Sequence, residues 1–313
     1  MDIDFIICGK NYNERERAEL FNLRPAIHIH NINEMVSLSA EQRSKIRAVA
    51  YRVGVPFTKN LMEMLPALKL IANYGVGYDA IDAQGAKELG IRITNTPDVL
   101  NDCVADLAVG MAISLSRHLC QGQELILSGA WANGEKLSLN HKFSGKKAGI
   151  VGLGRIGREI AERLVGFKME IHYHARRDKF IENWIFHENI INLAQAVDYL
   201  FIALVGGVET ENYVSEEVIT ALGKKGMIIN IARGSVIDEK ALITALQNKK
   251  IAGAALDVFM NEPKIDERFY KLDNVLLQPH QASNTYETRA TMAALQRENI
   301  LAFFSNQPLL TEV

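Results

Sequence analysis

The 313-residue chain is poor in the features that mark several protein classes. Its three cysteines, Cys8, Cys103 and Cys120, are scattered with no C-x-x-C spacing, which argues against a disulfide framework or a zinc knuckle and suits a reducing compartment. An excess of either charge is also missing: 35 Lys and Arg against 37 Asp and Glu leave a formal −2, with no basic stripe or lysine-rich tail, so nucleic acid is not an expected partner. The start, Met1-Asp2-Ile3-Asp4, carries acids where a secretory signal would carry lysine or arginine. No uninterrupted apolar run of membrane length occurs. The most apolar stretch, Leu100–Cys120, contains Asn101, Asp102, Asp106 and Arg117 and reads as a buried interdomain helix, so no membrane partner is expected. Repeats and low-complexity segments are lacking too. A cytoplasmic location is the resulting expectation.

What is present is a large core and a regular alternation. Hydrophobic residues make up 48% and charged residues 23%, the balance of a globular protein, and the length suits about two domains. Short apolar runs at Asp4–Cys8, Ala26–His30, Ile46–Tyr51, Lys69–Tyr74 and Ile91–Asn95 alternate with helical patterns, including Asp79–Leu89 with Asp79 as its cap. Thr96-Pro97 marks a break, and a helix is expected from about Val99 to Leu119. A second series has strands at Lys147–Val151, Glu170–His174, Tyr199–Leu204, Met227–Ile231, Gly253–Val258 and Asn274–Leu277. Its helices are expected at Ile156–Val165, Glu216–Leu222 and Glu239–Asn248, and a last helix at Tyr286–Ser305 returns to the first domain. Such alternation predicts an α/β protein of two Rossmann-like, doubly wound parallel-sheet domains with a cleft between them.

Between the run Ala148–Val151 and a helical pattern stands Gly152-Leu153-Gly154-Arg155-Ile156-Gly157. A lone G-x-G-x-x-G is weak, but this strand–turn–helix context is informative. The first glycine permits a tight turn, the second lets backbone approach a pyrophosphate, and the third lets helix pack on strand. The helix amino terminus adds free N–H groups. Ile156, Ile160 and Leu164 recur every four residues, Glu159 and Arg163 are spaced for an ion pair, and Gly166 is the expected stop. An NAD-binding fold places a carboxylate on the ribose about 20 residues further on. Here the chain reads Tyr173-His174-Ala175-Arg176-Arg177, where a 2′-phosphate would meet two guanidinium groups. The expectation is a preference for NADP(H), with use of NAD(H) as the alternative if Asp178 takes the ribose and the arginines form a solvated turn.

Further segments follow predicted strands: Asn230-Ile231-Ala232-Arg233-Gly234-Ser235, Leu256-Asp257-Val258-Phe259-Met260-Asn261-Glu262-Pro263 and Gln278-Pro279-His280. With the glycine loop and the earlier Gly75-Val76-Gly77-Tyr78-Asp79, the chain resembles the D-isomer-specific 2-hydroxyacid dehydrogenase family, nearest its glyoxylate/hydroxypyruvate and hydroxyphenylpyruvate reductases. Asn95-Thr96-Pro97-Asp98-Val99-Leu100 and Ser305-Asn306-Gln307-Pro308-Leu309-Leu310 are similar to that branch. The resemblance implies a coenzyme domain at residues 97–285 inserted into a substrate domain formed by 1–96 and 286–313. It also implies a homodimer built largely from the coenzyme domain.

By the same resemblance Arg233 holds the carboxylate of a small 2-keto acid and leans on its carbonyl, and His280 donates the proton. Glu262 hydrogen-bonds the other imidazole nitrogen and favours the protonated ring. Val76, Gly152, Leu153, Gly154, Arg155, Ile156, Gly157, Ala175, Arg176, Arg177, Ile231, Ala232, Arg233, Asp257 and His280 would line the coenzyme, with Asp257 near the carboxamide. Gly75, Val76 and Gly77 would offer N–H groups to the substrate carboxylate. Trp131 would reach a neighbouring subunit's substrate pocket, the alternative being a buried structural tryptophan.

Two departures from the family pattern bear on substrate size: His280-Gln281-Ala282-Ser283 replaces His-x-Gly-Ser, and Val205-Gly206-Gly207-Val208-Glu209-Thr210 predicts a looser loop under the coenzyme. No metal site is expected: the pairs His28/His30 and His172/His174 read as solvated strand faces. Two other readings use the same fold, a nicotinamide-sensing corepressor-like binding protein and a formate or phosphite dehydrogenase. The formate type carries glutamine in the role of Glu262.

Overall fold

The computed structural model describes residues 3–313, so the acidic start Met1-Asp2 lies outside the described residues. The chain divides into two compact units, Met1–Leu100 with Thr285–Val313, and Asn101–Asn284. Both are parallel α/β structures, and both get their cores from strands buried on two faces.

In the first unit β1 (Phe5–Cys8), β2 (Ala26–Ile29), β3 (Ala48–Tyr51), β4 (Leu70–Asn73) and β5 (Arg92–Thr94) form one sheet in the order β2-β1-β3-β4-β5. Every residue of β1, β3 and β4 is buried, as expected for parallel strands covered by helices on both sides. The covering helices are α1 (Glu14–Phe21), α2 (Ala40–Lys45), α3 (Lys59–Glu63) and α4 (Ala83–Glu88). The C-terminal helix, Tyr286–Phe304, packs on β3 and β4, and Gln296 stitches it there: its amide donates to Ala72 O at 2.7 Å while its carbonyl accepts from Tyr12 Oη at 3.1 Å. The expected cap Asp79 does not start α4. Asp79 and Ala80 form a turn closed by the Ile81 N–H on Tyr78 O at 2.9 Å; Ile81 then bridges to Phe57 and Ala80 O accepts the Phe57 N–H, so Asp82 caps the helix by accepting from Gly85 N at 2.8 Å.

The second unit carries β6 (Lys147–Val151), β7 (Glu170–His174), β8 (Ile185–Phe186), β9 (Tyr199–Ile202), β10 (Met227–Asn230), β11 (Gly253–Leu256) and β12 (Val275–Leu277) in the order β12-β11-β10-β9-β6-β7-β8. The order reverses between β9 and β6, and outside the carboxyl ends of strands at such a switch point α/β sheets bind ligands. Helices α5 (Asn101–Arg117), α6 (Leu119–Leu127), α7 (Arg155–Gly166), α8 (Ile190–Ala196), α9 (Glu216–Leu222) and α10 (Glu239–Gln247) complete it.

The apolar stretch after Leu100 is a helix of this unit, packed on β10, β11, β12 and α7 with Val104, Ala108, Met111 and Leu115 buried. It breaks at His118, whose left-handed φ of 52° ends α5 and starts α6. Among the described residues no single helix is long and apolar enough to cross a membrane; α5 and α6 reach that composition only as a pair bent by 60°. Arg163 of α7 fastens α5, bonding Asp102 and Asp106 at 2.6 Å each as well as its own-helix partner Glu159 at 2.7 Å. That helix ends at Gly166, the expected stop, with Phe167 as its C-cap and Lys168 taking the left-handed turn at φ 60°.

His172 and His174 are 4% and 7% exposed, not solvated as their alternation suggests, because the His187 ring, just past β8, stacks on His172 and the Tyr213 ring stacks on His174. His172 Nε2 lies 2.7 Å from Glu170 and its Nδ1 2.9 Å from His187 Nε2, while His174 bonds Tyr213 Oη and His187 O. Burial, then the neighbouring His172 and His174, pushes the His187 pKa down.

Candidate active site

The glycine loop is built as its three positions require. Gly152 has φ 95°, and a Cβ there would meet Ala203 O at 2.8 Å. A Cβ on Gly157 would stand 2.1 Å from Gly152 O, so only glycine lets α7 pack this closely on the end of β6. Around Gly154 a Cβ would meet nothing within 4 Å, which leaves open space before the amino terminus of α7. A pyrophosphate fits there, against backbone N–H groups and the positive end of the helix. Leu153 is buried beneath the loop. In the loop at Val205–Thr210 the Thr210 hydroxyl lies 2.7 Å from Val205 O and 3.1 Å from Gly207 O, while the Val205 and Val208 side chains are exposed.

At the end of β7, Ala175 is half-buried and Arg176 and Arg177 are exposed. Asp178 turns back toward its own strand, accepting a hydrogen bond from the Tyr173 hydroxyl and another from Phe180 N at 2.8 Å.

Three loops leave the carboxyl ends of β10, β11 and β12. Asn230, the last residue of β10, shapes the first: its side-chain oxygen accepts from Ala232 N at 3.0 Å and its amide donates to Arg233 O at 2.9 Å. Arg233 Nη1 donates to Ala232 O at 2.8 Å, which steers the guanidinium. Ile231 and Ala232 are buried. Asp257, wholly buried past the end of β11, accepts from Gln281 N at 2.8 Å through Oδ1 and from Ala282 N at 3.0 Å through Oδ2. Its carbonyl takes the His280 N–H at 2.9 Å. Asp257 therefore clamps the loop that carries His280, and burial, partly offset by those N–H groups, raises its pKa. Ala282, the extra methyl relative to glycine, is 7% exposed and packs inward.

Glu262 and His280 come together: Oε2 lies 2.7 Å from Nδ1, while Oε1 accepts from Phe259 N at 2.9 Å. Burial alone would raise the Glu262 pKa. The His280 hydrogen bond and charge, the Phe259 N–H and the Arg233 cation outweigh it and hold the carboxyl below its usual range. Glu262 is thus an anion in contact with one imidazole nitrogen, in the field of a nearby guanidinium. Such a set can hold a carboxylate, orient a ring and pass a proton.

Gly75, Val76 and Gly77 belong to the first unit, past the end of β4. The turn is held by Asn73, which no sequence motif singles out, and by Asn95 of the segment Asn95–Leu100. Asn73 Nδ2 donates to Gly75 O and Gly77 O at 3.0 and 2.9 Å, and Asn95 Nδ2 to Val76 O at 2.9 Å. Gly75 N is spent on the Thr96 hydroxyl at 3.0 Å, which leaves the N–H groups of Val76 and Gly77 as the available donors. The legible signal was the asparagine closing a strand, at Asn73 as at Asn230. Trp131, in the second unit, is 64% exposed, so it is not a buried structural residue of the protomer.

Comparison with known proteins agrees with this architecture. Residues 109–282 match the D-isomer specific 2-hydroxyacid dehydrogenase NAD-binding domain. The chain is 42% identical over 303 residues to glyoxylate/hydroxypyruvate reductase A of Arabidopsis thaliana, covering 97% of this chain and 96% of that one. It is 43% identical over 274 residues to hydroxyphenylpyruvate reductase of Plectranthus scutellarioides, covering 88% and 87%. Among solved structures, NADPH-dependent glyoxylate/hydroxypyruvate reductase of Sinorhizobium meliloti, in complex with NADP and malonate, is 38% identical with TM-score 0.94, covering 100% of this chain and 97% of that one. The corepressor and formate readings find no support among these relatives. Two parallel sheets, a glycine loop at the switch point and the three strand-end motifs in order place this chain in the D-isomer-specific 2-hydroxyacid dehydrogenases.

Proposed function

We propose that the protein reduces a small 2-keto acid of the glyoxylate, hydroxypyruvate or hydroxyphenylpyruvate class to the D-2-hydroxy acid, with NADPH as its preferred reductant. The observation that carries the reading is the 2.7 Å bond from Glu262 to His280 Nδ1. It occupies one ring nitrogen and orients the other, Nε2, as the proton donor to a carbonyl oxygen. Arg233 holds the substrate carboxylate by charge-assisted hydrogen bonds and steadies the charge that grows on the carbonyl oxygen. The N–H groups of Val76 and Gly77 are proposed as further carboxylate donors. General acid assistance of this kind is worth about 10²–10⁴ in rate.

The nicotinamide coenzyme, when bound, supplies the hydride. The open space at Gly154 and the start of α7 suit its pyrophosphate, and the exposed Arg176 and Arg177 suit a 2′-phosphate. The relatives named for NADPH dependence and for glyoxylate, hydroxypyruvate and hydroxyphenylpyruvate support the choice of substrate class. A cytoplasmic homodimer belongs to the same proposal. What supports the dimer is one run of exposed apolar side chains in the second unit: Leu119, Ile126, Leu127, Trp131, Leu137 and Leu139, the last 99% exposed. Trp131 would then border the substrate pocket of the neighbouring subunit.

Absorbance at 340 nm tests the reading, with NADPH and NADH each set against glyoxylate, hydroxypyruvate, pyruvate and hydroxyphenylpyruvate. Turnover of at least one keto acid, faster with NADPH, is expected. A silent panel with tight coenzyme binding would overturn it.

A further inference from the structure

The end of β7 carries a lock that the glycine loop and the strand-end motifs do not include. The Tyr173 ring is completely buried in the sheet, and only its hydroxyl reaches the turn beyond. That hydroxyl donates to Asp178 Oδ1 and accepts the Lys179 N–H at 3.0 Å. The same Oδ1 accepts the Phe180 N–H at 2.8 Å. Three hydrogen bonds thus close residues 174–177 into a fixed excursion from the strand, and Phe180 absorbs the reversal with φ 51°. At the tip of that excursion stand Arg176 and Arg177, exposed and without an ion pair among the described residues.

We propose that Asp178 is a positioning residue that selects the coenzyme: locked onto Tyr173, its carboxylate is withheld from the ribose and shapes the turn that presents Arg176 and Arg177 to the 2′-phosphate. The inference rests on the NADPH reading above. A carboxylate beyond the strand could serve a ribose 2′-hydroxyl, and that role favours NADH. The Tyr173 and Phe180 bonds both hold Oδ1 and tie the carboxylate to the strand end; swinging the side chain out to a ribose would break them and leave the Tyr173 hydroxyl, at the edge of the core, without its acceptor. The tyrosine hydrogen bond, followed by the Phe180 and Lys179 N–H groups, keeps Asp178 below the usual carboxylate range, so the lock is an anion at neutral pH. Its Oδ1 is committed to two local donors, the Tyr173 hydroxyl and the Phe180 N–H, which draw the carboxylate toward the strand end and away from a phosphate held by the two arginines.

The test uses the full-length enzyme and measures NADPH and NADH by KM and kcat, with NADP⁺ and NAD⁺ binding by calorimetry as a readout independent of turnover. Asp178→Ala and Tyr173→Phe are expected to raise the NADPH KM about tenfold with kcat within about twofold, because a displaced guanidinium costs binding and not chemistry. NADH should change little. Asp178→Asn, whose side-chain oxygen still accepts from Tyr173 and Phe180, should keep most of the NADPH affinity. A ribose acceptor gives the opposite pattern: Asp178→Asn and Asp178→Ala would both lose NADH while sparing or improving NADPH, and that result overturns the lock. A wild type that prefers NADH would refute the coenzyme reading separately. In that event the lock stands if Asp178→Ala weakens coenzyme binding and Asp178→Asn restores it, and falls if the two variants behave alike.

Discussion

Glu262 Oε2 lies 2.7 Å from His280 Nδ1, joining the loop after β11 to the loop after β12. Asp257 stands behind both, with its two carboxylate oxygens on the N–H groups of Gln281 and Ala282 and its carbonyl on that of His280. The imidazole is therefore fixed from its ring and from its backbone. A ring held this way needs little reorganisation when a carbonyl oxygen arrives.

Replacing Glu262 with glutamine keeps the size of the side chain and removes the anion. Turnover should fall about 10²-fold while coenzyme binding is retained, since the change touches proton transfer rather than the glycine loop. Steady-state kinetics alongside calorimetric coenzyme binding check it. Unchanged kcat at neutral pH would mean that the carboxylate only supports the loop.

Gly154 and Gly157 should respond in opposite ways to alanine. At Gly157 a Cβ would lie 2.1 Å from Gly152 O, so Gly157→Ala should cost about 1–3 kcal/mol of stability by overpacking. At Gly154 the Cβ meets nothing within 4 Å, so Gly154→Ala should leave the melting temperature unchanged and weaken coenzyme binding at least about tenfold. Thermal unfolding and coenzyme titration of the two variants separate these effects; equal loss of stability in both would contradict the assignment.

The histidine cluster on β7 predicts an acid-sensitive fold. The His187 pKa is depressed in the folded chain, mainly by burial and next by the adjacent histidines, so the unfolded chain binds the extra proton more readily. Its contribution is present above the unfolded value of about 6.5 and is lost as pH falls below it. Denaturant midpoints measured from pH 8 to 5 should decline across that window, and His187→Gln should flatten the decline. A variant with the wild-type pH profile would rule the cluster out as the source.

If the exposed run from Leu119 to Leu139 is the subunit interface, Leu127→Glu and Trp131→Glu together should convert a dimer to a monomer in sedimentation equilibrium. Charge buried at such a surface is costly enough to separate subunits. A double variant with an unchanged mass would move the interface elsewhere.

Much of this molecule was readable from local pattern. The strands Lys147–Val151 and Glu170–His174 fall where their apolar runs put them, because β6 and β7 lie inside a sheet and are uninterrupted. The three glycines of the loop take the three conformational roles their spacing implies. What failed depended on partners distant in sequence. Asp79 looked like a cap until Phe57 claimed the following residues as a bridge. His172 and His174 alternate like a solvated face, yet the rings of His187 and Tyr213, 15 and 39 residues further on, cover them. The committed N–H of Gly75 is likewise invisible without Thr96, which lies 21 residues away. The Glu262–His280 pair was expected from the family resemblance rather than from spacing, since 18 residues and a strand separate the two.

The most direct test of the central claim is single-turnover reduction of glyoxylate or hydroxypyruvate by His280→Ala with NADPH already bound. Loss of reduction by about 10²-fold or more, with coenzyme affinity unchanged, is the predicted result. Reduction at the wild-type rate at neutral pH would show that the proton comes from elsewhere and would contradict the account.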